Sequence, residues 1–138
     1  MLGRDSMKPM KIVVRYMDGQ IIKGYSEHFD PESPSFLLYE DPGGVSAVEL
    51  AIDKLKAVFL VKSLEGNPDY SERKVFHRSE SPRGRKVEVK FLDGEVMQGI
   101  AIRCDAQRSG FFLIPPDPES NNISIFAVSK AVINLHDL

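Results

Sequence analysis

The chain has 138 residues, 42% of them hydrophobic and 28% charged, and a formal net charge of -2. That balance fits one ordinary folded domain or two very small ones, and it excludes a disordered chain, a membrane chain and a globally basic binder of nucleic acid. The single cysteine, Cys104, excludes an intrachain disulfide and a cysteine zinc site. No apolar run approaches the roughly 20 residues that span a bilayer. Met1 to Met10 lacks the apolar stretch of a secretion signal, being broken by Arg4, Asp5, Lys8 and Pro9. A cytoplasmic location is expected.

Residues 1–10 read as a disordered N-terminus, and a first β-barrel unit follows over 11–64. Its first strand, 11–17, sets Ile12, Val14 and Tyr16 on one face and Val13 and Arg15 on the other, the period-two pattern of a half-buried strand. Asp18-Gly19 then makes a hairpin turn. A two-residue loop would pair Tyr16 with Ile21 and turn Lys23 toward the core. A three-residue loop ending in a left-handed Gly pairs Tyr16 with Gln20 and sets Ile22 and Gly24 opposite the core residues. The second keeps long polar side chains out of the core and is the one expected. Gly24 marks a bend in the second strand, 20–29. Further strands are expected at 35–40, 46–52 and 56–62, the last with Ala57, Phe59 and Val61 toward the core and Lys56 and Leu60 away from it.

Residues 65–85 form a polar linker punctuated by Pro68, Pro82 and Gly84. A short helical or extended segment around 69–78 should use Tyr70, Val75 and Phe76 to pin itself to a barrel, with 77–84 flexible. The remainder, 86–138, repeats the first unit. Lys86-Val-Glu-Val-Lys-Phe-Leu-Asp-Gly94 aligns with Lys11-Ile-Val-Val-Arg-Tyr-Met-Asp-Gly19. Gly99 then faces Gly24, Asp105 faces Asp30, Phe111 faces Phe36, and Leu113 faces Leu38. Asp117-Pro118 faces Asp41-Pro42, and Lys130-Ala131-Val132 is matched to Lys56-Ala57-Val58. Copies this small have little core of their own, so they should dock on each other. Apolar residues on the outer faces point the same way: Ile21, Leu37 and Tyr39 in the first copy, and Val96, Ile100, Phe112 and Ile114 in the second.

An apolar strand, Asp-Gly, a bending Gly, an acidic residue and a further apolar strand resemble the first motif of Sm-like proteins. The matching residues are Val14 to Gly19, Gly24 and Asp30, and again Val89 to Gly94, Gly99 and Asp105. Lys56 to Val61 looks like the closing strand of the second motif. The resemblance implies an all-β fold: two tandem five-stranded Sm-like or SH3-like small barrels forming a pseudo-dimer. It also implies joining through strand edges, as Sm-like units do in rings. The uridine pocket is not carried over, because Asp30 to Pro34 and Asp105 to Ser109 lack its Asn, and no Arg-Gly precedes the last strands. The layout is also similar to a bacterial family of duplicated domains found beside signalling receiver modules, which implies a regulatory setting.

No catalytic, cofactor-binding or metal-ligating residue is expected. His28, His77 and His136 lie far apart in sequence at no ligand spacing. Asp18 and Asp93 suit their turns, Asp30 and Asp105 their loops, and Asn121-Asn122 a turn. Cys104 stands where Phe29 does in the first copy and reads as a small buried apolar residue. The basic cluster Arg73, Lys74, Arg78, Arg83, Arg85 and Lys86, near Tyr70 and Phe76, is the strongest local feature. It could contact a partner or single-stranded nucleic acid, but it does not match the paired-Arg motif of PilZ domains. The first expectation is a non-enzymatic interaction or scaffold module, binding an unknown protein partner or itself through strand edges and apolar patches, with no membrane contact. The second is RNA or single-stranded nucleic-acid binding through the cluster with Lys11, Arg15 and Lys90.

Overall fold

The computed structural model describes residues 9–77, 83–102 and 109–138. Its first five strands are β1 (Met10–Arg15), β2 (Ile21–Ser26), β3 (Ser35–Tyr39), β4 (Ala47–Ala51) and β5 (Ala57–Val61). The second five are β6 (Arg85–Phe91), β7 (Val96–Ile102), β8 (Gly110–Ile114), β9 (Asn122–Val128) and β10 (Val132–Asp137). All pairings are antiparallel, and the strands form one open sheet in the order β10-β6-β7-β8-β9-β5-β1-β2-β3-β4. Each half therefore contributes its strands in the same order: fifth, first, second, third, fourth. A 3₁₀ turn separates fourth from fifth strand in each, at Ile52–Lys54 and Ser129–Ala131.

Both first hairpins adopt the bulged three-residue turn. The Tyr16 N–H donates to the Gln20 carbonyl at 2.9 Å and the Gly19 N–H to the Tyr16 carbonyl at 3.1 Å; Phe91 and Gly94 repeat this with Glu95 and Phe91. Gly19 and Gly94 hold φ at 95° and 94°, the left-handed region that glycine occupies without steric cost. The Asp18 and Asp93 carboxylates accept the N–H groups of Gln20 and Glu95. The resulting register sets Val14 opposite Ile22 and Ile12 opposite Gly24. At Gly24 the chain passes so close to β3 that a Cβ would lie 2.5 Å from the Tyr39 carbonyl oxygen.

The two halves meet where β5 pairs with β9, making the sheet continuous. Residues opposite one another in antiparallel strands share a face. Val14 lies opposite Val58, Val58 opposite Phe126, and Phe126 opposite Phe112. On the other face, Val13 leads through Phe59 and Ile125 to Leu113. The core of the N-terminal half, with Val14, and the core of the C-terminal half, with Leu113, thus lie on opposite faces of one sheet. β5 is consequently buried on both faces, which explains its unbroken run Ala-Val-Phe-Leu-Val. Val58 and Leu60 share the face of Val14 and Ile12, while Ala57, Phe59 and Val61, expected in the core, are buried on the opposite face.

The C-terminal strand also departs from expectation. Leu135 lies opposite Val89 as Val58 lies opposite Val14, so Leu135 and not Val132 is the counterpart of Val58. Lys130 and Ala131 belong to the 3₁₀ turn, and β9 has seven residues against five in β4. The shared Lys-Ala-Val string misaligned the two strands. Ile133, expected in the core, sits where the register of β10 shifts and is 60% exposed. The linker shows no helix over 67–77. Of the outer-face apolar residues, Phe112 enters an aromatic cluster with Phe29 and Phe126, the ring centroids of Phe112 and Phe126 being 5.1 Å apart. Ile21, Leu37, Val96 and Ile114 remain exposed.

Candidate functional site

The groups with the most pronounced chemistry gather where the halves meet. Lys56, just ahead of β5, is buried, with its side chain only 5% exposed. Its ammonium donates to Asp93 Oδ2 at 2.7 Å and to Glu95 Oε1, and lies 5.1 Å from the centroid of the Phe91 ring. A buried cation needs compensating charge, and the first turn of the C-terminal half supplies it. Lys56 holds the Asp93 carboxyl below its ordinary range, assisted by the Glu95 N–H. Asp93 therefore does more than shape its turn, whereas the Asp18 carboxylate accepts only the turn's own Gln20 N–H among the described residues. Arg15 lies 5.4 Å over the Phe59 ring and 3.4 Å from Glu95. Asn121 clips the halves together: its side chain accepts the Ser63 N–H at 3.1 Å and donates to the Ser63 carbonyl at 2.9 Å. That is a second role beyond the turn expected for it.

The linker straps the C-terminal half. The Tyr70 hydroxyl donates to Asp117 Oδ2 at 2.6 Å, the Arg73 N–H donates to the same oxygen, and the Glu119 N–H donates to Oδ1. These three donors, Tyr70 foremost, hold the Asp117 carboxyl down at about 2, and the same bond raises the Tyr70 phenol. The Phe76 N–H donates to Gln98, and Lys86 lies 5.4 Å from the Phe76 ring centroid. Between strap and sheet opens a cleft of about 110 Å³. Phe59, Met97 and Ile125 give it apolar surface, and Arg15, Lys74 and Glu95 give it charge. A shallower groove over Val13, Ile21, Lys23 and Val61 continues from it past Arg15 and Phe59.

Part of the basic cluster is engaged with the chain's own groups, although Lys74, Arg83 and Arg85 remain exposed. The Arg73 guanidinium donates to the carbonyls of Val75 and Pro116, Arg85 pairs with Asp137, and Lys86 covers Phe76. Lys74 borders the cleft, Arg83 is exposed, and Arg78 lies outside the described residues. Lys11 donates to the Lys62 carbonyl, and Lys90 is exposed. His28 and His77 are exposed, while His136 sits in β10 rather than in a tail, 3.6 Å from Glu88. Asp30 closes its own loop by accepting the N–H of Glu32 and the hydroxyl of Ser33. Cys104 and Asp105 lie outside the described residues. Among those described, no group of three His, Cys, Asp or Glu is placed to hold a metal ion, and no helix is long and apolar enough to cross a membrane.

Sequence reasoning missed Lys56, Asn121, the Tyr70–Asp117 bond and the seam itself. One signal for the seam was present, in the loss of polar alternation through 57–61. Comparison with curated proteins and with solved structures finds no match. Residues 8–138 match the model described as Family of unknown function (DUF6982), and the chain belongs to that family.

Proposed function

We propose that the chain is a non-enzymatic interaction module of the cytoplasm, in which two Sm-like, SH3-like small barrels related by internal duplication are fused into a pseudo-dimer that receives a protein partner. The observation that carries this reading is the cleft at the seam, walled by both halves and by the strap. Its apolar surface and spaced charges suit the side chains of a bound segment. Catalysis asks for titratable groups converging on one reacting atom; Arg15 and Glu95 instead neutralise each other. Nucleic-acid binding ranks second, because Arg73, Arg85 and Lys86 are engaged with the chain's own groups.

Asn122 borders both the cleft and the groove, so Asn122→Trp should fill them. Affinity capture from cell extract with wild type and with this variant tests the proposal. The expected result is a protein retained by wild type, lost with the Trp variant and indifferent to nuclease. Equal retention by both would contradict the reading. So would a retained species that nuclease releases, since the ligand would then be nucleic acid.

A further inference from the structure

A second cavity, of about 100 Å³, opens on the N-terminal half between Tyr25, Glu27, Tyr39 and Asp41, with Pro9, Gly43 and Gly44 completing its wall. Tyr25 and Tyr39 are the directly opposed pair that joins β2 to β3. The side chains of these four residues make no hydrogen bond or ion pair to a described residue. Lys23, on the same face of β2, sends its ammonium to the Leu64 carbonyl at 2.9 Å instead. Two carboxylates and two phenol rings therefore border one small space with no cation in it among the described residues.

The fold does not require these side chains. In the C-terminal half Ile100 lies opposite Ile114 as Tyr25 lies opposite Tyr39, and Ile102 holds the place of Glu27. Isoleucine satisfies strand pairing there as well as tyrosine does here. The halves differ in one more respect. The Asp117 turn of the C-terminal half is occupied by Tyr70 and Arg73 of the strap, whereas the Asp41 turn has no segment of the chain bonded to its side chain among the described residues.

We propose that this cavity is a binding site for a lysine or arginine side chain of a partner protein. The cation would sit against the electron-rich faces of Tyr25 and Tyr39 and be neutralised by Glu27 and Asp41, an arrangement that favours cations over isosteric neutral groups. The inference names the partner's chemistry within the interaction-module reading and rests on it, but it uses a surface separate from the seam cleft.

The test is a titration of the intact chain with capped Gly-Gly-Lys-Gly-Gly, Gly-Gly-Arg-Gly-Gly and Gly-Gly-Gln-Gly-Gly peptides, followed by the ring resonances of Tyr25 and Tyr39. The expected result is a saturable shift with the Lys and Arg peptides that weakens with added salt, and none with the Gln peptide. Affinity should fall at least tenfold in Tyr39→Ile, the residue type found at position 114, and in the Glu27→Gln, Asp41→Asn double variant, with melting temperature unchanged in the latter. Equal shifts from the Gln peptide, no saturable shift from any peptide, or unaltered affinity in the double variant would overturn the proposal. Asn122→Trp should bind the peptides as wild type does. Peptide binding that persists when partner capture depends in no way on the cleft would sink the cleft reading alone; silent peptides beside a cleft-dependent partner would sink this site alone.

Discussion

The seam strands and the free edges of the sheet hold equivalent places in their halves, yet they are built from different residues. β9 presents Phe126 opposite Phe112; at the matching position β4 presents Glu49 opposite Leu37. Gly110 leaves room for Phe126, since a Cβ there would approach its ring within 2.5 Å, whereas Ser35 in the same place donates to the Glu49 carboxylate at 2.7 Å. β5 carries Val58 and Leu60 opposite Val14 and Ile12; β10 carries Leu135 and Asp137 opposite Val89 and Val87. Lys56, which reaches across the seam, has no charged equivalent near Ile133 at the start of β10. The edge that is joined is apolar and the edges left open carry charge, which is how natural sheets avoid pairing with further chains. Pairing of a further strand with β4 or β10 would bring that strand alongside Glu49 or Asp137.

Exchanging residues between seam and edge should break this comparison most severely. Phe126→Glu places a charge in the aromatic cluster and should cost more than about 4 kcal/mol, enough to unfold a small domain. Glu49→Phe should change stability by less than about 1 kcal/mol but should raise the mass seen by light scattering above the 15.5 kDa of one chain. Lys56→Ala removes the cross-seam cation. Its two carboxylates keep about a third of their exposure, so the loss in a denaturant melt should be about 2 to 3 kcal/mol, below that of a fully buried pair.

Within the halves the effects should be smaller. Gly99→Val drives a side chain against the Ile114 carbonyl, 2.9 Å from where its Cβ would lie, and should cost about 2 kcal/mol. Gly94→Asn, in open space at φ 94°, should cost less than about 1 kcal/mol because Asn tolerates that conformation. Thermal melts ranking the two the other way would contradict the bulged-turn register. The smallest effect concerns pH. Asp117 titrates at about 2 in the folded chain against an ordinary 3.8, so the stability it contributes is present above about pH 4 and is lost as pH falls toward 2. Tyr70→Phe should move the Asp117 titration upward and flatten that dependence, as read by carboxyl chemical shifts.

Much of the fold was legible because it is local. Asp-Gly between alternating strands determines hairpin register within a few residues, and both first hairpins obeyed it. The last strand was misread because Lys130-Ala131-Val132 copies Lys56-Ala57-Val58 in letters while the longer β9 displaces it in space. The β5–β9 pairing joins distant segments, and nothing local marks it except the unbroken apolar run at 57–61. The site was less legible still. Lys56 looked like an outward strand residue, and its partners Asp93 and Glu95 lie in a turn whose local chemistry already accounted for an Asp. The basic cluster stood out in the sequence, but the acceptors that hold Arg73, carbonyls of Val75 and Pro116, carry no sequence signal. Asp117 was matched to Asp41 by sequence; that one is strapped and the other open could only come from coordinates.

Hydrogen exchange of the backbone amides tests the central claim most directly, namely that one uninterrupted sheet runs through β5 and β9. If it does, amides of β5 and β9 should be among the slowest in the chain and should exchange together with those of β1 and β8, only on global unfolding. Rapid exchange at 57–61 and 122–128 while β1 and β8 stay protected would mean that the two halves are separate bodies, and would contradict the account.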